Sequence, residues 1–266
     1  MEKKTVLTIA GSDSSGGAGI QADIKTIEAH GVYAMSAITA LTAQNTMGID
    51  AVFKIPADFI KSQIDTVFED IRPDAVKIGM LPDIEAMKVV ADSLKKYDFK
   101  KAVLDPVLKS TSGTILSEKE GLNYLKEELF PLCLLITPNI PEAEIITGKK
   151  ISTESELIEA VNQISENYHC NVLLKGGHSS FDKEGYCTDY LYAKESKEGI
   201  QKIVEKRFES SNLHGTGCTL SSAIAANISL GYDVNEAVGR AKKYITKCIA
   251  IGLDLGKGNG PLEHFV

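Results

Sequence analysis

A glycine-rich segment near the N-terminus has the composition of an anion-binding loop. Residues 11–23 read GSDSSGGAGIQAD and separate an apolar run, Thr5–Ala10, from a helical pattern that extends to about His30. Glycines let the backbone approach a ligand closely, and the free amides of a helix N-terminus bind negative charge. No G-K-[ST] follows, which excludes a P-loop. A flexible surface loop is the alternative interpretation of this segment.

Part of the same segment, Gly17–Ala22, also matches the G-x-G-x-x-A fingerprint of dinucleotide-binding proteins. That fingerprint needs a tight turn after the strand, and the stretch from Ala10 to Gly17 is too long for one. No acidic residue follows at the end of the next predicted strand, where a ribose would be bound. The hypothesis of a nicotinamide-dependent oxidoreductase therefore depends on this match alone.

A second polar motif, TPNIPE at residues 137–142, lies where a predicted strand ends and a helix begins. Asn139 and Glu142 are three residues apart, so both can face one site, and a carboxylate there can hold Mg²⁺ directly or through water. The alternative is plain helix capping, with Asn139 as the cap and Glu142 complementing the helix dipole. The motif alone leaves both interpretations open.

A third motif, HGTGCTLSSA at residues 214–223, opens a long apolar helix. Gly215, Thr216 and Gly217 present consecutive backbone amides, which would form an anion hole for a transferred phosphoryl group. Cys218 falls in the first turn, where the helix dipole favours the thiolate. Alternatively, the small residues only permit close helix packing and Cys218 is a buried apolar side chain.

Two single residues follow predicted strands and could join the same site. Asp105, in LDPV, is placed to meet Mg²⁺ or a triphosphate, and Lys175, in LLKGGH, could pair with phosphate as a point charge. Each signal is weak alone, because Asp-Pro and Lys-Gly are common at strand ends. His178, at the end of LLKGGH, is more typical of a loop histidine than of a catalyst.

The elements that must position these motifs alternate between short apolar runs and helical periods. The predicted strands are Thr5–Ala10, Ala34–Ala43, Ala75–Ile78, Ala102–Leu104, Leu134–Thr137 and Val172–Leu174, with a hairpin of Tyr186–Tyr192 and Gln201–Arg207. The predicted helices that follow the first are Ala57–Asp70, Asp83–Tyr97, Ser117–Leu129, Glu154–Tyr168, about Gly217–Leu230 and Val234–Gly252. The expected caps are Thr153 and Asp233, and a capping box of Ser117 with Glu120.

This alternation predicts a parallel sheet covered by helices on both faces, in a single α/β domain spanning residues 1–266. No linker-like stretch divides the chain. Ligands of such sheets bind at the carboxyl ends of the strands. Every motif above falls at a strand end of this kind, so the sequence predicts that the motifs share one site.

The composition excludes several functional classes. A formal charge of -7 argues against a nucleic-acid-binding surface, which needs clustered Lys and Arg. No apolar run approaches the ~18 residues that span a bilayer, and the N-terminus lacks a signal-peptide core. The five cysteines contain no C-x-x-C and indicate neither a disulfide framework nor a zinc site. We therefore expect a cytoplasmic protein without nucleic-acid or membrane partners.

Taken together, the motifs resemble those of the ribokinase superfamily and, within it, of the hydroxymethylpyrimidine and hydroxymethylpyrimidine-phosphate kinases. The segments that carry the resemblance are TIAGSDSSGGAGIQAD, KIGML, LDPV, ITPNIPE and HGTGCTLSSA. They occur in family order, and the similarity runs from Thr5 to GPLEHF at residues 260–265. The resemblance implies a three-layer α/β/α sandwich with a mostly parallel sheet and a small antiparallel hairpin, the use of ATP and Mg²⁺, and a homodimer.

The resemblance also implies roles for single residues. Gln44, in AQNT, corresponds to the glutamine that binds the pyrimidine edge, and its amide offers the donor and the acceptor that an aminopyrimidine needs. The other implied substrate-pocket residues are Gly11, Asp23, Met80 and Val107. With the motifs above, the predicted ATP-binding residues are Asn139, Lys175 and Asp105, the Mg²⁺ ligands are Glu142 and Asp105, and the catalytic group comprises Cys218 with the anion hole of Gly215, Thr216 and Gly217.

Cys218 departs from the usual pattern of the superfamily, in which an aspartate takes the proton of the substrate hydroxyl. Hydroxymethylpyrimidine kinases and some related pyridoxal kinases have cysteine at that position. An unperturbed thiol titrates near ~8.5, so the base role requires the helix dipole to favour its ionisation. The predicted activity is phosphorylation of hydroxymethylpyrimidine and its monophosphate in thiamine synthesis. A cysteine-bearing pyridoxal kinase and a non-catalytic binder on a kinase scaffold are the alternatives.

Overall fold

The computed structural model describes residues 3–108, 119–177, 179, 182–196 and 199–266. The strands are β1 Thr5–Asp13, β2 Tyr33–Asn45, β3 Gly48–Lys54, β4 Ala75–Ile78, β5 Ala102–Leu104, β6 Leu135–Ile136, β7 Asn171–Leu174, β8 Tyr186–Tyr192 and β9 Ile200–Lys206. The α-helices are α1 Gly19–Ala29, α2 Ala57–Asp70, α3 Ile84–Lys96, α4 Lys119–Tyr124, α5 Ile140–Thr147, α6 Glu154–Tyr168, α7 Thr216–Ser229 and α8 Val234–Ile251.

The nine strands form one sheet in the order β3-β2-β1-β4-β5-β6-β7-β8-β9. The pairs from β2 to β7 are parallel, as helical crossovers require, whereas β3 at one edge and β8 and β9 at the other are antiparallel. Every residue of β4 and β7 is buried, which is typical of parallel strands covered on both faces.

Two apolar cores lie on opposite faces of this sheet. Because successive strand residues point to opposite faces, Leu7 joins the core beneath α2, α3 and α6, while its neighbour Val6 joins the core beneath α1, α7 and α8. The same alternation separates Leu174 from Leu173. The predicted three-layer α/β/α sandwich with a mostly parallel sheet is therefore confirmed, as is the antiparallel hairpin of β8 and β9.

Most of the predicted elements are present within one to three residues. Thr153 caps α6 through a complete capping box with Glu156, and Asp233 caps α8. The region predicted as the helix Ser117–Leu129 differs. Its α-helical part is α4, after which the chain forms a π-helical turn, Leu125–Leu129, and a short 3-10 turn. The expected cap Ser117 lies outside the described residues.

Two further differences concern the start of the chain. β1 continues three residues beyond the predicted run, into the glycine-rich segment, and ends at Asp13. The sequence analysis also missed β3, an edge strand of which five of seven residues are exposed. An exposed strand lacks the apolar alternation that identifies half-buried strands. Within the described ranges, no helix is long and apolar enough to cross a membrane.

Candidate active site

A cavity of about 260 Å³ lies at the carboxyl ends of the parallel strands. Its lining brings together residues from all of the motifs that the sequence analysis singled out. Of the predicted site residues, it contains Gly11, Gln44, Met80, Asp105, Val107, Asn139, Glu142, Lys175, Gly215, Thr216, Gly217 and Cys218. The predicted single shared site is therefore present, because parallel strands deliver their carboxyl ends to one edge of the sheet.

The glycine-rich loop is folded around the carboxylate of Asp13. This carboxylate accepts hydrogen bonds from the backbone amides of Ser15, Gly17 and Ala18 at 2.8, 3.1 and 2.8 Å. Its Oδ2 also lies 2.8 Å from Nε2 of His214. Burial opposes ionisation of Asp13, but these bonds lower its pKa to about 2. The alternative of a flexible surface loop is wrong, since the loop is fixed at one charged residue.

Two glycines allow close backbone contacts, one between this loop and the segment that opens α7 and one within the loop itself. Gly215 has a φ of +86°, and a Cβ built on it would lie 1.9 Å from the carbonyl oxygen of Gly17. Gly19 has a φ of +55°, and its Cβ would lie 2.2 Å from the carbonyl oxygen of Gly11. Neither position has space for a side chain, and left-handed backbone favours glycine. The N-terminal loop and the start of α7 are thus packed backbone against backbone.

The N-terminus of α7 forms one wall of the cavity. Its N-cap, Gly215, has no side chain with which to cap the helix, and no acidic residue lies in the first turn. The amide of Thr216 bonds to the carbonyl of Leu213 at 3.3 Å. The amides of Gly217 and Cys218 are therefore the first-turn donors left for a ligand. This agrees with an anion site, although Thr216 contributes less of its backbone than the motif suggested.

The thiol of Cys218 does not have the expected tendency to ionise. Burial raises its pKa to about 11, an effect that the neighbouring Lys77 ammonium and a bond to the amide of Gly19 only partly offset. The carboxylates of Asp23 and Asp105 add to the increase. At neutral pH the group is a thiol in this environment. Burial thus opposes the thiolate, the form that the position in the first helical turn favours.

Asp23, predicted to line the substrate pocket, lies beneath the cavity instead. It is fully buried and bonds to Thr8, Lys77 and Ser222 at 2.6, 2.9 and 2.7 Å. The physical reason is its position one turn into α1, on the face that packs against the sheet and α7. Lys77, also fully buried, had no role in the sequence analysis. A lysine within the strand AVKI was the available signal, because a buried charge requires a partner.

Asp105 and Lys175 form an ion pair at the cavity wall. Lys175 Nζ donates to Asp105 Oδ1 at 2.8 Å, and the hydroxyl of Thr137 donates to the same oxygen at 3.2 Å. Burial lowers the pKa of Lys175, but Asp105 and Glu142 outweigh burial and raise it, so the lysine is charged. A Cβ on Gly217 would lie 3.0 Å from Asp105 Oδ2, so the pair also abuts the start of α7.

Asn139 and Glu142 fill the predicted capping role and also line the cavity. Asn139 Oδ1 accepts from the amide of Glu142, and Glu142 Oε2 accepts from the amide of Asn139, both at 2.8 Å, in a complete capping box. Both residues also line the cavity. Burial raises the pKa of Glu142 to about 7, although the nearby Lys175 opposes this increase. Capping therefore holds a cavity-facing carboxyl in a fixed place.

Gln44 lies next to the glycine-rich loop, at the opposite end of the cavity from the Lys175–Asp105 ion pair. Its Oε1 accepts from the hydroxyl of Thr42 at 3.0 Å, which leaves one lone pair free. Its Nε2 lies 3.3 Å from Nε2 of His214, but that ring nitrogen is already engaged by Asp13 at 2.8 Å. One donor edge and one acceptor edge of the amide therefore remain for a planar ligand.

The carboxylates of the cavity suit a Mg²⁺ ion that is shared with a phosphate ligand. Asp105 and Glu142 supply oxygen atoms, the ligands that Mg²⁺ prefers. Among the described residues, no group of three or more His, Cys, Asp or Glu side chains could hold a metal by itself. One or two carboxylates completed by water and phosphate oxygens is the usual arrangement for Mg²⁺, so the donor set fits.

Comparison with known proteins decides between the families that could use such a cavity. Residues 13–263 match the phosphomethylpyrimidine kinase family. This chain belongs to the phosphomethylpyrimidine kinase family. Membership makes it a phosphotransferase and replaces the oxidoreductase alternative, so the G-x-G-x-x-A match at Gly17–Ala22 is part of the kinase's own glycine-rich loop.

Individual relatives cover nearly the whole chain. The hydroxymethylpyrimidine/phosphomethylpyrimidine kinase of Rhizobium meliloti is 44% identical over 97% of this chain and 96% of its own length. The phosphomethylpyrimidine kinase of Clostridium difficile is a solved structure with 47% identity and a TM-score of 0.81, over 93% of this chain and all of that one. The pyridoxal kinase of Bacillus subtilis, solved as an ADP complex, has 35% identity and a TM-score of 0.88, over 99% and 98% of the two chains.

One of the curated relatives is longer than this chain. The thiamine biosynthesis bifunctional protein of Geobacter sulfurreducens is 45% identical over 98% of this chain, and the chain spans about half (52%) of that protein's length.

Proposed function

We propose that this chain is an ATP-dependent kinase that phosphorylates 4-amino-5-hydroxymethyl-2-methylpyrimidine and then its monophosphate, in thiamine biosynthesis. The observation that carries the proposal is the arrangement of one cavity. Gln44, with an open donor and acceptor, lies at one end, and the Lys175–Asp105 pair lies at the other. The unbonded amides at the start of α7 lie between them.

Gly11 and Met80 meet at the pyrimidine end of the cavity. A Cβ on Gly11 would lie 2.7 Å from Cε of Met80, so a larger residue at position 11 would displace the methionine side chain. Val107 adds an apolar contact on the same cavity wall. A planar ring bound there would offer its amino group and a ring nitrogen to Gln44, which supplies the complementary acceptor and donor.

The opposite end binds the nucleotide in this proposal. Lys175 contacts the phosphates as a point charge, and Asn139 and Asp105 line the path of the triphosphate. Glu142 and Asp105 would hold Mg²⁺, in part through water. When bound, Mg²⁺ neutralises charge on the phosphate oxygens and orients the transferred group. The amides of Gly217 and Cys218 stabilise the equatorial oxygens of that group, since donors of this kind act where charge develops.

Cys218 is the residue proposed to accept the proton of the hydroxymethyl group in the first step. Its thiol carries a proton at neutral pH, so the base role requires that this proton first passes to water, which leaves the thiolate that accepts the proton of the hydroxymethyl group. The Lys77 ammonium and the Gly19 amide favour the thiolate, which is the form that the base role requires. In the second step the acceptor is a phosphate monoester, already largely dianionic because its second pKa is about 6. That step needs no base.

Initial rates of ADP formation test the substrate assignment. The purified protein is incubated with Mg·ATP and, in separate reactions, the hydroxymethylpyrimidine, its monophosphate and pyridoxal. Turnover of both pyrimidines, with little turnover of pyridoxal, is expected. A preference for pyridoxal would retain the fold and the chemistry but would mean that Gln44 does not select a pyrimidine.

The Cys218→Ala variant tests the base. General-base catalysis contributes ~10²–10⁴-fold, so we expect a loss of that order in the first phosphorylation and a loss below about tenfold in the second. Cys218→Ser is the matched control, because it keeps the size and a polar atom but not the thiol. An equal loss of both steps in Cys218→Ala would mean that Cys218 shapes the pocket rather than moving the proton.

Pyridoxal phosphorylation is the second candidate activity. The observation that favours it is the 35% identity to the Bacillus subtilis pyridoxal kinase over nearly the whole chain. Pyridoxal also has a hydroxymethyl group on a flat ring, so the same cavity chemistry applies. The substrate comparison above separates a pyrimidine kinase, a pyridoxal kinase and a bifunctional enzyme.

We also propose a homodimer in the cytoplasm. The β2–β3 hairpin exposes apolar side chains at the edge of the sheet: Leu41 is 44%, Met47 69%, Val52 46% and Phe53 66% exposed. Apolar patches of this kind mark association surfaces. Sedimentation should give a dimer that Phe53→Asp converts to a monomer, and a wild-type monomer would contradict the proposal. Five free cysteines agree with a reducing compartment.

A further inference from the structure

A further buried ion pair lies behind the nucleotide end of the cavity, outside the machinery described above. Asp189 on β8 is 2% exposed. Its Oδ2 accepts from Lys242 Nζ of α8 at 2.5 Å, and its Oδ1 accepts from the backbone amide of Gly176 at 3.0 Å. One side chain therefore joins the C-terminal helix to the loop that follows β7.

This hydrogen bond occurs where the loop leaves the sheet. The β7–β8 ladder ends at the pair Leu174–Tyr190. One step further, the amide of Gly176 bonds to the Asp189 side chain, so a carboxylate takes the place of the next backbone acceptor. The loop stays so close to β8 that a Cβ on Gly176 would lie 2.0 Å from the carbonyl oxygen of Thr188.

Lys175 is consequently held on two sides. Its own amide bonds to the carbonyl of Pro138 at 2.8 Å, on the β6 side. The amide of the next residue bonds to Asp189 at 3.0 Å, on the β8 side. From this fixed backbone, Lys175 Nζ reaches Asp105 Oδ1 at 2.8 Å across the cavity wall.

A purely structural link between β8 and α8 would not need these charges. An apolar pair of similar volume commonly stabilises a core as well as a buried ion pair does, because the ions must be removed from water. An apolar pair cannot, however, accept the N–H of Gly176. The charge of Lys242 offsets the cost of burying the ionised carboxylate of Asp189, and that carboxylate fixes the loop.

We propose that Asp189, supported by Lys242, is a positioning residue for the phosphoryl donor: it sets the turn at residues 175–177 that presents Lys175 to the phosphates of ATP. The inference rests on the proposed role of Lys175 in nucleotide binding. Neither Asp189 nor Lys242 contacts the nucleotide in this assignment. Both act through the backbone on either side of Lys175.

Two double variants separate the effect of the Gly176–Asp189 hydrogen bond from that of the Lys242–Asp189 ion pair. Both Asp189→Asn/Lys242→Met and Asp189→Leu/Lys242→Met remove the two buried charges and keep the side-chain volumes close to those of the wild type. Only the first retains an oxygen that can accept from Gly176. Lys243→Met is the matched control, since it makes the same change at the next position of α8, on an exposed face.

The readout is the dissociation constant of a non-hydrolysable ATP analogue with Mg²⁺, measured by calorimetry, beside that of the hydroxymethylpyrimidine. We expect at least about tenfold weaker nucleotide binding in Asp189→Leu/Lys242→Met, because the Gly176 amide loses its partner. The Asn variant and Lys243→Met should stay within about threefold of the wild type. Pyrimidine binding should change by less than about twofold in all three.

Equal nucleotide affinity in the two double variants would overturn the proposal, as would a parallel loss of both ligands. If the leucine variant does not fold, Asp189→Ala/Lys242→Met provides the same comparison with a smaller side chain. Binding of the analogue requires no phosphoryl acceptor. A failure of the pyrimidine assignment would therefore appear in the turnover assay and leave this comparison intact.

Discussion

Two lysine–aspartate pairs flank the same helix, α7, and differ in access to the cavity. Lys77 and Asp23 lie 2.9 Å apart with side chains that are 0% exposed. Lys175 and Asp105 lie 2.8 Å apart, and their side chains are 16% and 5% exposed. The distances are nearly equal, so geometry alone does not distinguish the two pairs. Their other partners do.

The fully buried pair, Lys77 and Asp23, is called the sealed pair here, and Lys175 and Asp105 the open pair. The carboxylate of the sealed pair has all of its bonds within the protein. Both oxygens of Asp23 are used, one by Thr8 and Lys77 and the other by Ser222. In the open pair, Oδ1 of Asp105 accepts from Lys175 and Thr137, and Oδ2 lies towards the start of α7 at the cavity. The Lys77–Asp23 pair therefore has its bonds entirely within the protein, whereas the Lys175–Asp105 pair keeps one carboxylate oxygen and part of the lysine at the cavity.

The largest expected effect concerns the sealed pair. Lys77→Met leaves the carboxylate of Asp23 buried without a counter-charge, and loss of one partner of a buried pair costs ~3–5 kcal/mol. Chemical unfolding should show a decrease of that order in the free energy of unfolding. The double variant Lys77→Met/Asp23→Leu should recover at least half of the loss. If the single variant were as stable as the wild type, the stability of the fold would not depend on this pair.

The open pair should show the opposite pattern. Lys175→Met should lower kcat/KM for ATP by ~10²–10³-fold, the usual loss when one electrostatic donor to a transferred group is removed. Its free energy of unfolding should fall by less than half as much as that of Lys77→Met, because Asp105 keeps Thr137 and access to the cavity. Steady-state kinetics and unfolding of the same preparations test both statements. Equal stability losses in the two lysine variants would remove the distinction.

The smallest effect is expected for a carboxylate that has no lysine partner. The pKa of Asp13 is lowered to about 2 by its bonds to His214 and to the loop, so the ionised form stabilises the folded state. That contribution is present above the ordinary pKa of 3.8 and is lost as the pH falls towards 2. The stability advantage of the wild type over Asp13→Asn should shrink by about 1–2 kcal/mol between pH 6 and pH 2.5. Urea unfolding at the two pH values measures the change, and a constant difference would contradict the assignment.

The parts of the site that the sequence predicted are those that follow strand ends. Asp105, Asn139 and Lys175 each come directly after a short apolar run, and the topology of a parallel sheet then places them at one edge. The fold was predictable for the same reason. Buried parallel strands such as Ala75–Ile78 and amphipathic helices such as Ala57–Asp70 have patterns that depend only on local residues.

The parts that the sequence missed depend on partners far along the chain. Asp23 belongs beneath the cavity because Lys77 and Ser222 are there, and no local pattern reveals that contact. Asp13 organises the glycine-rich loop through its own amides and through His214, 201 residues away. The pKa of Cys218 is likewise raised by burial and by the carboxylates of Asp23 and Asp105, which belong to other parts of the chain.

The contact between the glycine-rich loop and the start of α7 also has a consequence for biosynthesis. A ribosome that adds ~5–20 residues per second needs about 10–40 s to synthesise the 201 residues between Asp13 and His214. Throughout that interval the nascent loop lacks the imidazole and the glycine backbone against which it packs. The contact between this loop and the start of α7 is therefore among the last features of the molecule that can form, and any truncated product that ends before residue 214 lacks it entirely.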